Sequence, residues 1–269
     1  MGHPYSAARD DITGIGGGLK LRLDKILVAR SLAPTRTRAQ ERIAIGQVSV
    51  DGVIVTKAGY LVDSDQAVET HGEDLPYVSR GGLKLAAALD GWKIDVSGRI
   101  CVDVGISTGG FSDCMLQRGA ELVIGIDSGH SQLASALQGH PRLRLLESTN
   151  ARYLTPSVLP GNISFVAMDV SFIGASLVLP AVIASAFRAD TENQSAKVRQ
   201  AVILVKPQYE AGREFVGKRG IVRNEAAHRL AVDRVRGTVL ARGAQETDVM
   251  DSPIAGGEGN REFLLYARF

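Results

Sequence analysis

Cys101-Val102-Asp103-Val104-Gly105-Ile106-Ser107-Thr108-Gly109-Gly110-Phe111 is the stretch from which the fold is read. A short β-branched run ends in an acid and a glycine. Two more glycines follow, and then Phe111, Met115 and Leu116 recur at helical spacing until Gly119. The order is strand, tight turn, helix. Glycine at such a turn lets backbone approach a ligand closely. The spacing is not the G-x-G-x-x-G of dinucleotide folds, because position 107 is serine and the acid stands two residues ahead of the first glycine.

Outward from it, strands and helices alternate from Arg99 onward, which predicts a parallel sheet with helices on both faces. Residues 121–126 read as a second strand ending in Asp127, and residues 143–146 as a third, followed by Thr149-Asn150-Ala151-Arg152, whose polar groups suit an adenine. A fourth, 163–168, runs into Asp169-Val170-Ser171-Phe172, and a fifth, 201–205, into Lys206. Asn224 then caps a helix interrupted by Gly237. Two strands near 246–250 and 262–268 follow, with a turn through Pro253 and glycines 256, 257 and 259. Asp103, Asp127, Asp169 and Lys206 all fall at or just beyond the carboxyl ends of strands, where open α/β sheets bind ligands. One acid there would pass as a helix cap; four charged groups on one edge do not. Asp127, roughly twenty residues beyond the glycines, is placed to accept hydrogen bonds from a ribose diol.

The chain of 269 residues, 45% hydrophobic and 22% charged, is long enough for a large domain with a small companion. Its net charge of +2 gives no argument for nucleic-acid binding from the total, only from where charge sits. Cys101 and Cys114 provide neither a disulfide framework nor a zinc cluster, and are expected as core residues of a reduced, cytoplasmic protein. Residues 1–18 read as a flexible glycine-rich tail. From 19 to 74 the pattern changes. Leu23, Ile26 and Leu27 make a helical stripe, Thr35 or Thr37 caps a second helix ending at Gly46, and Val48 and Val50 lead through Asp51-Gly52 to Val53 and Val55 as a hairpin. Between Lys20 and Arg42, the bases Lys20, Arg22, Lys25, Arg30, Arg36, Arg38 and Arg42 stand against only Asp24 and Glu41.

That order, with R-L-D-K-I-L-V-A-R at 22–30, T-R-T-R-A-Q-E-R-I-A-I-G-Q-V-S-V-D-G at 35–52 and then Lys57, resembles the small RNA-binding domain of ribosomal small-subunit protein four. The resemblance implies that Arg22, Lys25, Arg36, Arg38, Arg42 and Lys57 grip RNA phosphates, contacts that position without reading sequence. Residues 75–80 form the linker. Ser79 is expected to cap a helix that starts after Gly81-Gly82 and carries Lys84, which on its own reads as a surface lysine.

The acid-x-glycine turn resembles the first motif of S-adenosylmethionine (SAM) methyltransferases. Together with Y-V-S-R-G-G-L-K-L at 77–85, T-N-A-R-Y-L-T-P at 149–156, D-V-S-F-I at 169–173, L-V-K-P-Q-Y-E-A-G at 204–212 and G-N-R-E-F at 259–263, it resembles the TlyA, or hemolysin-A-like, family. The resemblance implies an α/β fold over 81–269: a doubly wound, seven-stranded, Rossmann-like SAM methyltransferase sheet with its last strand antiparallel. A small α+β RNA-binding domain precedes it. It implies FtsJ-like transfer of a methyl group from SAM to a ribose 2′-hydroxyl of ribosomal RNA, free or in ribosomal subunits, leaving S-adenosylhomocysteine. A Lys-Asp-Lys-Glu tetrad falls on Lys84, Asp169, Lys206 and Glu262. The cofactor set falls on Asp103, Gly105, Ser107, Thr108, Gly110, Phe111, Asp127 and Asn150, and no metal is implied. Two rival classes stand beside this reading. A nicotinamide oxidoreductase shares the fold but not the glycine spacing, and a membrane-lytic protein is opposed by the shortness of the apolar run 175–187 and by Pro180 within it. The basic, glycine-rich segment 213–223 is expected either as a mobile lid or as a solvated loop.

Overall fold

The computed structural model describes residues 20–188, 198–256 and 259–269; the glycine-rich start of the chain and Gly257 of the last turn lie outside them. The chain divides into two compact units, one ending at Glu73 and one running from Asp74 to Phe269.

The smaller unit runs β1 (Leu21–Arg22), α1 (Leu23–Ala29), α2 (Arg36–Ala44), β2 (Val48–Val50), β3 (Val53–Ile54), β4 (Leu61–Val62) and β5 (Val68–Thr70). Leu23, Ile26 and Leu27 of α1 meet Ala39 and Ile43 of α2 over Val48, Val50, Val62 and Val68. Thr35 caps α2 by accepting from the Arg38 N–H at 3.2 Å. Asp51 and Gly52, both at positive φ, fold β2 back onto β3, as a two-residue hairpin turn demands. β4 pairs with β1 and β5 with β2. Strands this short show no alternation, so the sequence did not reveal them.

The larger unit runs α3 (Gly81–Gly91), β6 (Ile100–Val104), α4 (Gly110–Gln117), β7 (Leu122–Ile126), β8 (Leu143–Leu146), β9 (Ile163–Met168), α5 (Ala175–Ala186), β10 (Gln200–Val205), α6 (Pro207–Glu210), α7 (Glu225–Ala241), β11 (Glu246–Asp251) and β12 (Phe263–Arg268). The sheet order is β11-β12-β10-β9-β6-β7-β8. The five strands from β10 to β8 are mutually parallel, and β12 runs against both its neighbours. One face is buried by Leu85, Leu89, Met115 and Leu116 of α3 and α4 over Val123 and Phe165. The other is buried by Leu179, Val182, Val232 and Val235 of α5 and α7 over Val102, Val166 and Ile203. Cys101 and Cys114 lie in the core, where burial pushes their thiols up to about 12 and about 11.

Three local expectations are corrected. Ser79 does not cap α3: the helix begins at Gly81 and no side chain caps it. Its glycines answer to packing, since a Cβ on Gly82 would fall 2.3 Å from the Tyr77 ring. Gly237 does not interrupt α7, which is continuous from Glu225 to Ala241 behind its Asn224 cap. Between β7 and β8 there is a short turn at Ser135–Leu137 rather than an α-helical crossover.

Candidate active site

The sheet fixes which side chains meet. Val104 at the end of β6 pairs with Met168 on one side and with Ile126 on the other, so Gly105, Asp169 and Asp127 leave the sheet side by side. Asp127 ties the turn down, because its Oδ2 accepts from the Ser107 N–H at 2.8 Å and its Oδ1 from the Gly129 N–H at 2.7 Å. Each carboxylate oxygen can accept a second hydrogen bond, so this anchor still has capacity for a ribose hydroxyl. Ser107 and Asn150 are exposed and Gly105 and Thr108 half-buried at the same edge. Asn150 also accepts from the Arg152 N–H at 3.0 Å.

Other expected cofactor residues are placed differently. Phe111 is 4% exposed and belongs to the core between α3, α4 and the sheet, so it props the turn from behind. The glycines are required by the protein itself. A Cβ on Gly105, at φ +86, would lie 2.3 Å from the Asp169 carbonyl oxygen, and one on Gly110 would lie 2.2 Å from Ser79 Oγ. Replacing Gly105 by valine therefore breaks the turn before it can fill a ligand's space. Asp103 is wholly buried. Its Oδ2 accepts from Ser112 Oγ at 2.7 Å, and its Oδ1 has no hydrogen-bond partner. Burial first, and then the charges of Asp169 and Asp127, push its carboxyl up to about 7. A buried carboxyl with an orphaned oxygen, lying beside Asp127 and Asp169, favours a cationic ligand at this edge. SAM is one, carrying positive charge at sulfur and at its amino group.

The four tetrad residues form two ion pairs. Lys206 Nζ lies 2.6 Å from Asp169 Oδ1 and donates to Ser171 Oγ at 2.7 Å. Lys84 Nζ donates to Glu262 Oε2 at 2.5 Å, with both side chains buried. The pairs converge through the antiparallel strand. β10 and β12 end their ladder at Val205 and Phe263, and the next residues on either side are Lys206 and Glu262. Both line a cavity of about 290 Å³ shared with Ser171, Tyr209, Arg219 and Asn260. Lys84, unremarkable as a helical lysine in sequence, is drawn inward by Glu262.

Residues that the sequence did not single out complete the cleft. Ser171 holds Lys206. Asn260, 3% exposed, accepts from the Val222 N–H at 3.0 Å and donates to the Gly220 carbonyl at 2.9 Å. Phe172, one residue beyond Ser171, is 90% exposed at φ +67, its ring centroid 5.9 Å from that of Tyr209. A bulky side chain in left-handed backbone is rare and marks a position held by its surroundings.

In the smaller unit, Lys25, Arg36 and Lys57 are exposed and Arg22, Arg38 and Arg42 half-buried. Asp24, which the sequence offered only as a counter-charge, is wholly buried beneath two of them. It accepts from Arg22 Nε and Nη2 at 3.0 Å each, Arg36 Nε at 2.9 Å and Gln40 Nε2 at 2.7 Å. Arg38 meets Glu41 at 3.2 Å. The arginines are thus oriented rather than free. No spacing signal would have shown this, because Arg36 approaches Asp24 only across the α1–α2 pair.

The FtsJ-like methyltransferase family matches residues 77–269 and the S4 domain residues 21–68. The proposed rRNA methyltransferase YqxC of Bacillus subtilis is 42% identical over 248 residues, 92% of this chain and 85% of that protein. The 16S/23S rRNA (cytidine-2′-O)-methyltransferase TlyA of Mycobacterium tuberculosis is 39% identical over 250 residues, covering 93% and 90%. Among solved structures, a proposed hemolysin from Streptococcus thermophilus aligns with a TM-score of 0.68 at 39% identity, over 93% of this chain and 88% of that one.

Proposed function

The chain belongs to the TlyA family of FtsJ-like methyltransferases, with an S4 domain ahead of the methyltransferase unit, and on that footing we propose that it transfers the methyl group of SAM to a ribose 2′-hydroxyl of ribosomal RNA. The observation that carries the reading is the pairing of Lys206 with Asp169 beside Lys84 with Glu262 at the carboxyl edge of the sheet, facing one cleft. SAM supplies a methyl group on a sulfonium, already a good leaving group. The demanding part is the ribose hydroxyl, a weak nucleophile that must lose its proton. Lys206, fixed by Asp169 and Ser171, orients the hydroxyl oxygen. As that oxygen bonds to the methyl carbon and the carbon–sulfur pair leaves with sulfur, the proton passes to the Lys206–Asp169 pair. Glu262 and Lys84 brace the wall. Asp127 and the 105–110 turn hold the cofactor, with the Asp103 carboxylate behind them balancing its charge.

The smaller unit supplies RNA affinity through its arginine face, and an enzyme with a ribosomal substrate works in the cytoplasm. Among the described residues no helix is long and apolar enough to cross a membrane.

The test is incubation of the full chain with labelled SAM and either ribosomal subunits or free ribosomal RNA, followed by mapping of the mark. Label at a ribose that resists alkaline cleavage is expected; label on a base would overturn the reading. Lys206→Ala should lower the single-turnover rate at least ~100-fold with SAM affinity nearly unchanged.

A further inference from the structure

We propose that segment 213–223 is a rigid phosphate clamp that seats the RNA backbone on the methyltransferase unit, an inference that rests on the reading of this cleft as the RNA site. The segment carries Arg213, Lys218, Arg219 and Arg223, all exposed, and none has an acidic partner among the described residues. Unpaired cations on one short loop are poised for an anion supplied from outside. Its backbone is anything but loose. Of its two 3₁₀ turns, Arg213–Phe215 is held by Phe215 N–H donating to the Gly212 carbonyl at 3.2 Å, and Lys218–Gly220 is closed by Gly217 N–H donating to the Ile221 carbonyl at 3.0 Å. Val222 is 2% exposed, and His228 Nε2 lies 3.0 Å from its carbonyl. Asn260 fastens both Gly220 and Val222 to the loop that leads into Glu262. Phe215 and Val216 pack on the core beneath.

The cations are therefore presented at a set place, and that place is the rim of the reacting cleft: Val216, Arg219 and Gly220 line the same cavity as Lys206 and Glu262. A ribose in that cavity brings its own 5′ and 3′ phosphates, whose charge the loop matches. Phosphate contacts of this kind fix position and orientation without reading sequence. This makes the loop a positioning surface for the 2′-hydroxyl, distinct from the arginine face of the smaller unit, and neither a moving lid nor an idle surface loop.

The test uses the full chain with Arg213, Lys218 and Arg219 changed together to alanine, against a control with Arg229 and Arg236 of α7 and Arg242 at its end changed likewise. Five of the six side chains are exposed, and Arg236 is half-buried with the exposed Asp233 as its ion-pair partner, so folding should survive in both. The clamp variant should keep wild-type SAM affinity, raise the RNA dissociation constant at least tenfold, and flatten the plot of log affinity against log salt by about 2–3 units, near 0.7–0.9 for each phosphate no longer neutralised. The control should change neither affinity nor slope to that extent. Wild-type slope in the clamp variant, or an equal loss in the control, would overturn the clamp while leaving the methyltransferase reading intact. Absence of ribose methylation by the wild-type chain would instead sink that reading.

Discussion

Lys84 and Glu262 stand 178 residues apart in sequence and 2.5 Å apart in the fold, ammonium against carboxylate, both out of water. A pair buried in this way is expensive to break from one side, because the survivor is left as an uncompensated charge. Lys84→Met and Glu262→Leu should each destabilise the protein by about 3–5 kcal/mol, while the double variant should recover most of that loss. Urea unfolding of the four proteins measures it. Methyl transfer should stay impaired even in the restabilised double variant if the pair shapes the cleft. Additive losses in stability would show that the two groups do not act as a pair.

Asp103 sets a pH dependence of definite sign. Burial, then Asp169 and Asp127, hold its carboxyl up at about 7, against about 3.9 in an unfolded chain. Between those values the native protein keeps a proton that the unfolded chain has released. Stability therefore falls as pH rises from about 4 to about 7, at up to about 1.4 kcal/mol per pH unit for one proton. Glu210, also raised by burial, contributes in the same direction. Asp103→Asn should flatten the fall and leave the Glu210 part, as read from urea midpoints at pH 5, 6 and 7. An unchanged slope would place the titration elsewhere. A cation bound at this edge favours the ionised carboxylate, so SAM binding near pH 6 should release protons, visible as a buffer dependence of its binding heat.

The sequence showed the strand, turn and helix around Asp103 because every signal there is local: a β-branched run, glycines, then a 3.6-residue period. It placed Asp169, Lys206 and Asp127 on one edge because parallel strands all end there. It did not show a second demand on the glycines, since the atoms that exclude a Cβ at Gly105 and Gly110 come from Asp169 and Ser79, distant in the chain. Asp24 and Ser171 escaped for the same cause. Their roles lie in partners that only folding brings close, and a buried acid beneath arginines looks in sequence like any surface counter-charge. The segment 213–223 has no period because its order comes from Asn260, not from a repeat of its own.

Asp24 organises the arginine face of the smaller unit, and if that face holds RNA as proposed, its removal should separate binding from catalysis. Although burial opposes ionisation, hydrogen bonds from Arg22, Gln40 and Arg36 hold its carboxyl well below the ordinary carboxylate range. That stabilisation is present above the unfolded value near 3.9 and is lost as pH falls below it. Asp24→Asn should cost about 1–3 kcal/mol, as for hydrogen bonds to a charged acceptor. It should also weaken RNA binding roughly 2- to 10-fold for each arginine no longer held in place, the entropy of one freed long side chain. SAM affinity should not move. If RNA affinity also stayed at the wild-type value, the orientation of Arg22 and Arg36 by Asp24 would be irrelevant to substrate.

Phe172 provides the sharpest contrast between stability and function. Its ring is 90% exposed beside Tyr209 and it follows Ser171, the partner of Lys206, while its backbone sits at φ +67, where a side chain is a burden. Folding gains little from such a residue, and its neighbours Ser171 and Tyr209 both line the cleft. A nucleobase whose ribose enters the cavity would bring a flat π-face to that ring. Stacking of a base on an aromatic side chain is worth about 1–3 kcal/mol, on the order of 5- to 150-fold in affinity. Phe172→Ala should therefore lower kcat/KM on RNA within that range, with the unfolding midpoint and SAM affinity unchanged. Phe172→Gly should lose as much activity while slightly raising stability, because glycine accepts the left-handed conformation without strain. Phe172→Tyr should restore activity. Full activity in the alanine variant would show that the exposed ring does not touch the substrate.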